Sequence, residues 1–243
     1  MPSGVPPLYV LRLGRVPYGR AMDVQNRLVR AHRAHLDGTD WRSNPDARWK
    51  EGAHAPDVLV LCEHDPVYTV GLRQTLYPPD EEARLRKLGA DFQRTDRGGL
   101  ITFFGPGMLV AYPVINLARR RCGLRLHVEQ LRHAATTTCR SLGVGKAESR
   151  GPPETGVWMG NKKLCAFGVH CARHITTHGL ALYCDPDLSW FQHIVPCGLE
   201  GRGVTSLTQE LGHRVSTCEA MTALLPAIAE AYGCRLLEAG PDV

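Results

Sequence analysis

The sequence lacks the features that mark several common classes of protein. Its nine cysteines form no CxxC pair, which argues against a disulfide framework or a zinc ribbon and favours a reducing compartment. No apolar run approaches the length needed to cross a bilayer, so we do not expect a membrane protein. The net charge is +5, but no run of Lys and Arg and no nucleic-acid motif accompanies it. An acidic protein partner therefore suits the charge better than DNA or RNA.

The order of predicted elements indicates one mixed domain. The chain has 243 residues, of which 43% are hydrophobic and 22% are charged, so it can bury a sizeable core. Short strands are interleaved with a few helices without a regular βαβ rhythm, which predicts an α+β or mixed α/β fold with helices against one face of a sheet. We expect residues 1–243 to form a single domain in which the polar, turn-rich stretch 38–56 is a loop insertion.

Periodicity and capping residues predict the main elements. Residues 8–13 and 58–62 have the composition of strands, the second one covered on both faces. Amphipathic spacing predicts a helix over residues 22–36, with His32 and His35 on its solvated face. Start and stop signals predict further helices near residues 79–88, 126–142, 206–211 and 217–232. Residues 176–179, with the sequence TTHG, are expected to form a turn before a strand over 180–183.

The stretch 156–207 carries the candidate nucleophile. Cys197 lies in the sequence IVPCG, where Pro196 restricts the backbone and Gly198 allows N–H groups to approach a ligand closely. A thiol reacts as the thiolate, and a fixed ammonium nearby favours that form. Lys163, at the start of the same stretch, makes Lys163 and Cys197 a candidate dyad. The alternative is that Cys197 is a small apolar core residue, as most free cysteines are.

A second informative stretch, residues 97–113, is rich in glycine. The glycines at positions 98, 99, 105 and 107 bracket an apolar segment, and Arg97 could fix a carbonyl or a phosphate. The stretch has no GxxxxGK[ST] pattern, so it is not a P-loop. The alternative is a plain β-hairpin.

Three histidines recur at positions 170, 174 and 178. On a helix this spacing would form a metal-binding face. The neighbouring threonines and Gly179 favour strand and turn instead, and no carboxylate nearby completes a ligand set. We therefore expect no metal site.

Four motifs in this chain resemble the lipoyl(octanoyl) transferases, the LipB-type family. Their sequences are most similar to those of its animal mitochondrial members. They are RGGLITFFGPGMLVAYPVINL, GVWMGNKKLCAFGVH, THGLALYCDPDLSWF and HIVPCGLEGRGVTSL. The resemblance runs in order from residue 8 to about residue 232. It implies the catalytic fold shared with biotin and lipoate protein ligases. It also implies a cofactor-free acyltransferase that carries out the first step of protein lipoylation through a cysteine thioester.

Matching the family's motifs position by position implies the site residues. Cys197 would carry the acyl group, and Lys163 would tune the reactivity of the Cys197 thiol. The implied substrate-binding residues are Arg73, Arg97, Gly98, Gly99, Leu100, Ile101, Thr102, Phe103, Phe104, Ala166, Phe167, Gly168, Gly179, Leu180 and Ala181.

The resemblance also implies partners and a location. The octanoyl donor would be octanoyl-acyl carrier protein, and the acceptors would be lipoyl domains of 2-oxoacid dehydrogenase E2 subunits and the glycine cleavage H protein. Such partners are typically acidic and suit the positive charge. We expect a monomer in the mitochondrial matrix, with the cytoplasm as the alternative. Arg12, Arg15 and Arg20 precede the first acidic residue, Asp23, as in an import segment, although a basic first strand would look the same.

The chain departs from the family's T-x-H-G-P-G-Q pattern at two positions. Phe104 stands where the histidine is expected, and Met108 stands where the glutamine is expected. Two alternatives stay open for this reason. One is a catalytically weakened paralogue that binds acyl carrier protein or lipoyl domains. The other is an ATP-using lipoate ligase on the same fold, which would not need Cys197.

Overall fold

A nine-stranded mixed sheet organises the chain, as seen in a computed structural model that describes residues 4–40, 42 and 54–239. Its strands are β1 (Leu8–Val16), β2 (Asp57–His64), β6 (Met108–Val114), β7 (Glu148–Arg150), β8 (Gly156–Met159), β9 (Lys162–Ala172), β10 (Ile175–Tyr183), β11 (Gly203–Val204) and β12 (Leu236–Glu238). They are ordered β12-β1-β2-β6-β10-β9-β8-β7, with β11 paired to β9. A smaller sheet has the order β4-β3-β5 and contains β3 (Val67–Val70), β4 (Asp91–Arg94) and β5 (Thr102–Phe104).

Five α-helices pack around these sheets in the described residues. They are α1 (Tyr18–Leu36), α2 (Pro79–Arg86), α3 (Leu124–Ser141), α4 (Leu207–Leu211) and α5 (Thr217–Tyr232). None of the helices in the described ranges is long and apolar enough to span a membrane. The predicted α+β class is confirmed. Residues 41 and 43–53 lie outside the described residues, so the loop insertion at 38–56 stays a prediction.

The large sheet buries both of its faces, which corrects the expectation of helices on one face only. Leu59 and Leu61 of β2 point into a core with α3 and α5. The alternating residues Val58 and Val60 point into a second core with α1 and the smaller sheet. A strand that is apolar at every position needs cover on both faces, and helices supply part of that cover on each side.

Helix α1 starts at Tyr18, earlier than predicted, and the placement of His32 on a solvated face is wrong. His32 is 1% exposed, and its Nε2 lies 3.7 Å from Asp57 Oδ1. The Asp57 carboxylate also accepts from Arg119 and from Arg120 Nε, the latter at 2.7 Å. Burial lowers the pKa of His32 to about 4. Its apolar neighbours on the helix could not reveal this ionic cluster, because Asp57 and the arginines are distant in sequence.

Two local predictions about the site region are also wrong. The plain hairpin over residues 97–113 does not form, because β5 pairs with β3 whereas β6 pairs with β2 and β10. The TTHG segment is not a turn but lies inside β10, paired with β9. The turn occurs just before it, at Arg173 and His174, whose φ angles are 51° and 65°.

Candidate active site

Cys197 lies in a short 3-10 turn, Pro196–Gly198, with a left-handed backbone conformation (φ 55°, ψ 17°). This conformation costs an ordinary L-residue about 1–2 kcal/mol, so the surrounding structure must hold it. The Cys197 N–H donates to Ile101 O at 2.9 Å. Gly198 packs so closely that a Cβ there would lie 2.4 Å from Leu100 Cδ1. The cysteine turn is therefore fixed on the glycine-rich loop.

The glycine-rich loop is organised by Arg97, which is 5% exposed. Its guanidinium donates to Thr69 O at 2.7 Å, to Thr69 Oγ1 at 2.8 Å and to Leu100 O at 3.0 Å. Burial lowers the pKa of Arg97, and the nearby Tyr18 and Cys197 oppose that shift. The loop thus places a buried cation in the neighbourhood of the cysteine.

Backbone N–H groups of this loop remain available to a ligand. The N–H of Gly98 donates to Val169 O at 3.0 Å, and that of Ile101 donates to Tyr77 Oη at 3.0 Å. Within the described chain, no protein acceptor is found for the N–H groups of Gly99 and Leu100. Gly99 also has a φ of 90°, a conformation that glycine adopts freely.

One pocket brings most of the predicted substrate-binding residues together with Cys197. Residues of the glycine-rich loop, β5, β6, β9, β10 and the cysteine turn form its walls. They are Arg97, Gly99, Thr102, Phe104, Tyr112, Ala166, Phe167, Gly168, His178, Gly179, Leu180, Ala181 and Cys197. The wall is mainly apolar, as expected for a site that holds a hydrocarbon chain.

Gly179 shows why the pocket needs a glycine in β10. A Cβ at this position would lie 2.1 Å from Ala111 O and 2.8 Å from Pro113 Cδ. Any larger residue would push β10 away from β6 and change the shape of the pocket.

Several predicted residues lie outside the pocket wall. Gly98, Leu100, Ile101 and Phe103 do not line the pocket; Phe103 instead stacks on Trp190 with ring centroids 5.1 Å apart. Arg73 is exposed at the start of a 3-10 turn, Gln74–Leu76. Its role at the rim of the acyl site stays a prediction.

Lys163 is buried but does not line the pocket. It is 3% exposed, and its Nζ lies 5.0 Å from the centroid of the Trp158 ring. Its carbonyl accepts from Thr205 N–H at 2.9 Å, which ties β9 to the segment after Cys197. No hydrogen bond joins the side chains of Lys163 and Cys197 in the described chain, and the dyad stays a prediction.

Two pocket residues were missed from the sequence, Tyr112 and His178. Tyr112 Oη lies 2.8 Å from His64 Nε2 in a buried network. His178 is 1% exposed, and its Nε2 lies 2.8 Å from Asp96 Oδ1. A lone histidine directly before Gly179, in an otherwise apolar and β-branched strand, was the available signal for His178. No sequence signal indicated Tyr112, because the register of β6 cannot be predicted from the sequence.

Phe104 occupies an aromatic cluster beside this network. Its ring centroid lies 5.8 Å from that of His64 and 6.0 Å from that of Tyr18. The Tyr18 hydroxyl is buried and meets no hydrogen-bond partner among the described residues. Burial lowers the pKa of His64 to about 4 and raises that of Tyr18. The phenyl ring of Phe104 thus lies beside a tyrosine whose buried hydroxyl has no partner among the described residues.

The three histidines at intervals of four do not share a site. His178 and His170 both approach Asp96, at 2.8 Å and 3.6 Å, whereas His174 lies in the turn before β10. Among the described residues, no three His, Cys, Asp or Glu side chains are arranged to hold a metal ion.

Comparison with known proteins identifies the family. The lipoyl protein ligase A/B catalytic domain matches residues 18–229. The chain is 53% identical over 226 residues to a Xenopus tropicalis protein named octanoyl-[acyl-carrier-protein]:protein N-octanoyltransferase, mitochondrial, covering 93% of this chain and 87% of that one. It is 48% identical to the human protein of the same name, covering 96% of each.

The fold agrees with this result. A bipartite lipoate protein ligase from Thermoplasma acidophilum superposes with a TM-score of 0.61 at 16% identity, covering 97% of this chain and 88% of that one. At that identity the likeness shows the fold alone. Because the sequence relatives extend over nearly the whole chain, this protein belongs to the octanoyltransferase family, built on the lipoyl protein ligase A/B catalytic domain.

Proposed function

We propose that this protein transfers an octanoyl group from acyl carrier protein to a lysine of a lipoyl-accepting domain, through a thioester on Cys197. Its relatives are named for octanoyl transfer from acyl carrier protein to protein, and the protein is a mitochondrial acyltransferase of the lipoylation route. The observation that carries the cysteine mechanism is the position of Cys197, in a strained turn on the wall of an apolar pocket. Strained backbone is retained where the surroundings hold a functional group in place.

In the first half of the reaction, the Cys197 thiolate attacks the carbonyl carbon of the octanoyl thioester. The new C–S bond forms, and the carrier protein's sulfur leaves with the electron pair of the broken bond. The developing oxyanion needs donors that are already in place. We assign this role to the N–H groups of Gly99 and Leu100, because those of their neighbours Gly98 and Ile101 already donate to protein acceptors.

A buried cation stabilises a thiolate that forms beside it. We assign this role first to Lys163, whose side chain has a flexible four-carbon stem that lets the ammonium move. In the second half of the reaction, the amine of the acceptor lysine attacks the thioester carbon, and the C–S bond breaks with its electron pair leaving on Cys197 Sγ. We assign to Lys163 the proton that this amine loses, which it can take once its own proton has passed to the carrier protein's sulfur. In this structure the ammonium lies on the Trp158 ring. Arg97 adds a second, fixed positive charge on the pocket wall. Both charges are buried and are screened less than surface charges would be.

The apolar part of the pocket wall would hold the octanoyl chain. Phe104, Ala166, Phe167, Leu180 and Ala181 supply this surface. Burial of each CH₂ group is worth about 0.8 kcal/mol, so a chain of eight carbons can be selected over shorter chains by the wall alone.

The carrier protein would dock at the rim next to the cysteine turn. Leu72 and Leu76 are 65% and 59% exposed on either side of Arg73, and Val195 is 47% exposed two residues before Cys197. Apolar anchors with a positive charge suit an acidic carrier protein or lipoyl domain. We assign the lipoyl domains of 2-oxoacid dehydrogenases and the glycine cleavage H protein as acceptors, and a monomer as the active form.

The direct test is incubation with octanoyl-acyl carrier protein in the absence of ATP, followed by intact mass and peptide mapping. We expect one octanoyl group on Cys197 and none in Cys197→Ala. Cys218→Ala is the matched control, because Cys218 is exposed on α5 outside the pocket, and it should load like the wild type. An adduct that requires ATP would support a ligase instead. A folded protein that binds the carrier without any adduct would support the binding module.

A further inference from the structure

The ammonium of Lys163 is buried without a carboxylate partner among the described residues. Lys163 is 3% exposed. The acidic side chains of β7 and of the β7–β8 loop, Glu148 and Glu154, pair with Arg150 and Arg202 instead. A buried charge is costly unless another group compensates it. Another feature of the fold must therefore stabilise this ammonium.

That feature is the indole ring of Trp158. Lys163 Nζ lies over this ring, 5.0 Å from its centroid, and Trp158 is 0% exposed. A cation within about 6 Å of an aromatic ring is attracted by the negative face of the ring, and more strongly where water is excluded. The face of the ring thus takes the place that a carboxylate would otherwise fill.

An irregularity in the pairing of β8 with β9 brings the two side chains together. Val157 pairs with Cys165, and a regular antiparallel ladder would then place Trp158 opposite Leu164. The register shifts at this point, and Trp158 pairs with Lys163. Bulges of this kind redirect side chains and are common beside active sites. The bulge is therefore what places the lysine opposite the tryptophan.

Gly156 leaves the room that this contact needs. A Cβ at position 156 would lie 2.8 Å from Trp158 Nε1 and 3.1 Å from Lys163 Cε. Any side chain there would press on the indole and on the lysine stem at once. The glycine therefore allows the lysine stem to lie along the ring.

The indole is itself fixed by its neighbours. Its N–H donates to Glu154 O at 2.8 Å. The guanidinium of Arg150 lies 5.1 Å from the ring centroid, and it also donates to Gly160 O at 2.9 Å. The ring is thus a rigid surface, whereas the lysine stem that lies against it is flexible.

We propose that Trp158 is the positioning residue for Lys163; this role rests on the proposed octanoyl transfer. The ring face holds the ammonium in place until its proton passes to the sulfur of the leaving carrier protein. The neutral amine is then no longer attracted as a cation, so the stem is free to turn toward the acyl thioester. When the amine takes the proton of the acceptor lysine, it becomes an ammonium again and returns to the ring.

A ring suits this task better than a carboxylate does. A carboxylate would form a charge-assisted hydrogen bond with the ammonium, which is stronger and more directional than a ring contact. Such a bond would hold the lysine in one place. The ring compensates the buried charge and still lets the side chain move.

Fluorinated tryptophans introduced at position 158 of the full protein test the ring face while keeping the shape of the indole. Fluorine withdraws negative charge from the face, so each added fluorine weakens the attraction for a cation. Single-turnover loading of Cys197 from octanoyl-acyl carrier protein, and transfer from the isolated acyl-enzyme to a lipoyl domain, should both slow stepwise. The loss at four fluorines should reach about tenfold, as expected for a desolvated cation–π contact. Rates that do not change with fluorination would overturn the proposal.

Three substitutions separate the ring face from its surroundings. Trp158→Phe keeps an aromatic face and should load and transfer within a few-fold of the wild type, whereas Trp158→Leu should be slower by about tenfold. Arg150→Met is the matched control, because it removes the other cation from the same ring, and it should react like the wild type. The proposal fails if Trp158→Phe is as slow as Trp158→Leu, or if Arg150→Met is.

NMR of protein labelled with [ε-¹³C]lysine reports on the contact directly. The chain has five lysines, and the signal of Lys163 is the one that Lys163→Ala lacks. The ring current of an indole shifts protons above its face upfield, so the ε-CH₂ protons of Lys163 should resonate upfield of those of the other lysines. An ordinary position in the wild type would overturn the proposal, and this result does not depend on whether any variant at position 158 folds.

The loading step keeps failure of this proposal distinct from failure of the proposed function. A wild-type protein that never loads Cys197 overturns both. If Lys163→Ala loads and transfers like the wild type, Lys163 and Trp158 leave the mechanism together, while transfer through Cys197 stands. Normal loading and transfer by the fluorinated protein overturn the role of Trp158 alone.

Discussion

Replacing Phe104 by histidine tests how this chain works with a phenylalanine where the family resemblance predicts a histidine. Phe104 is 7% exposed and lies on the pocket wall with Cys197. Its ring lies 6.0 Å from that of Tyr18, whose hydroxyl is buried without a partner in the described chain. We expect an imidazole in place of the phenyl ring to offer that hydroxyl an acceptor.

The effect on stability can be estimated from these contacts. A new buried hydrogen bond contributes about 0.5–1.5 kcal/mol, and loss of an aromatic pair costs about 0.5–1.5 kcal/mol. The two nearly cancel, so the free energy of unfolding of Phe104→His should stay within about 1.5 kcal/mol of the wild type. In a Tyr18→Phe background the histidine has no donor, and the same substitution should cost about 1 kcal/mol more.

The effect on catalysis appears in the loading step. If the family's imidazole supplies a hydrogen bond to the reacting thioester, Phe104→His should load Cys197 faster, by up to about 10². Denaturant unfolding measures the stability cycle, and single-turnover mass spectrometry measures loading. Equal loading rates would show that the imidazole is dispensable here. If Phe104→His changes the free energy of unfolding equally with and without the Tyr18 hydroxyl, the proposed hydrogen bond between the two side chains is refuted.

Three further predictions concern charge. Lys163→Ala should slow iodoacetamide alkylation of Cys197 near neutral pH, and an unchanged alkylation rate would remove Lys163 from the mechanism. Raising salt to physiological strength, where the screening length is about 8 Å, should slow association with acyl carrier protein, and a salt-independent on-rate in stopped flow would exclude electrostatic steering. Burial lowers the pKa of His32, His64 and His127 to about 4, while unfolded histidine titrates near 6.5. The unfolded state therefore binds more protons between these values, so the Tm should fall as pH drops from about 6.5 toward 4; a constant Tm would show that these rings are not buried in neutral form.

The helices were predictable because their signals are local. The capping box of Ser216 and Glu219 is present, and α5 ends at Gly233 in the left-handed conformation. Ser206 caps α4 through Gln209 N–H. Each of these contacts joins residues within one turn of the chain, so sequence order is enough to predict it.

The parts that the sequence could not predict depend on partners distant in the chain. The burial of His32 depends on Asp57, and the role of Gly179 depends on the Ala111 carbonyl in a neighbouring strand. His178 was treated only as one of three periodic histidines. Its ring forms a hydrogen bond with Asp96, which is 82 residues away in the sequence. Family motifs placed Cys197 among pocket residues but could not show that the ammonium of Lys163 lies on Trp158.

Transfer from an isolated acyl-enzyme tests whether the octanoyl group travels through a thioester on Cys197. The protein is loaded with octanoyl-acyl carrier protein without ATP, freed of donor, and mixed with a lipoyl domain while both proteins are followed by mass spectrometry. We expect octanoyl to leave Cys197 and reach the lipoyl-domain lysine at least as fast as steady-state turnover, and Cys197→Ala neither to load nor to transfer. An acyl-enzyme that holds its octanoyl group while turnover proceeds, or a Cys197→Ala variant that still transfers, would contradict it.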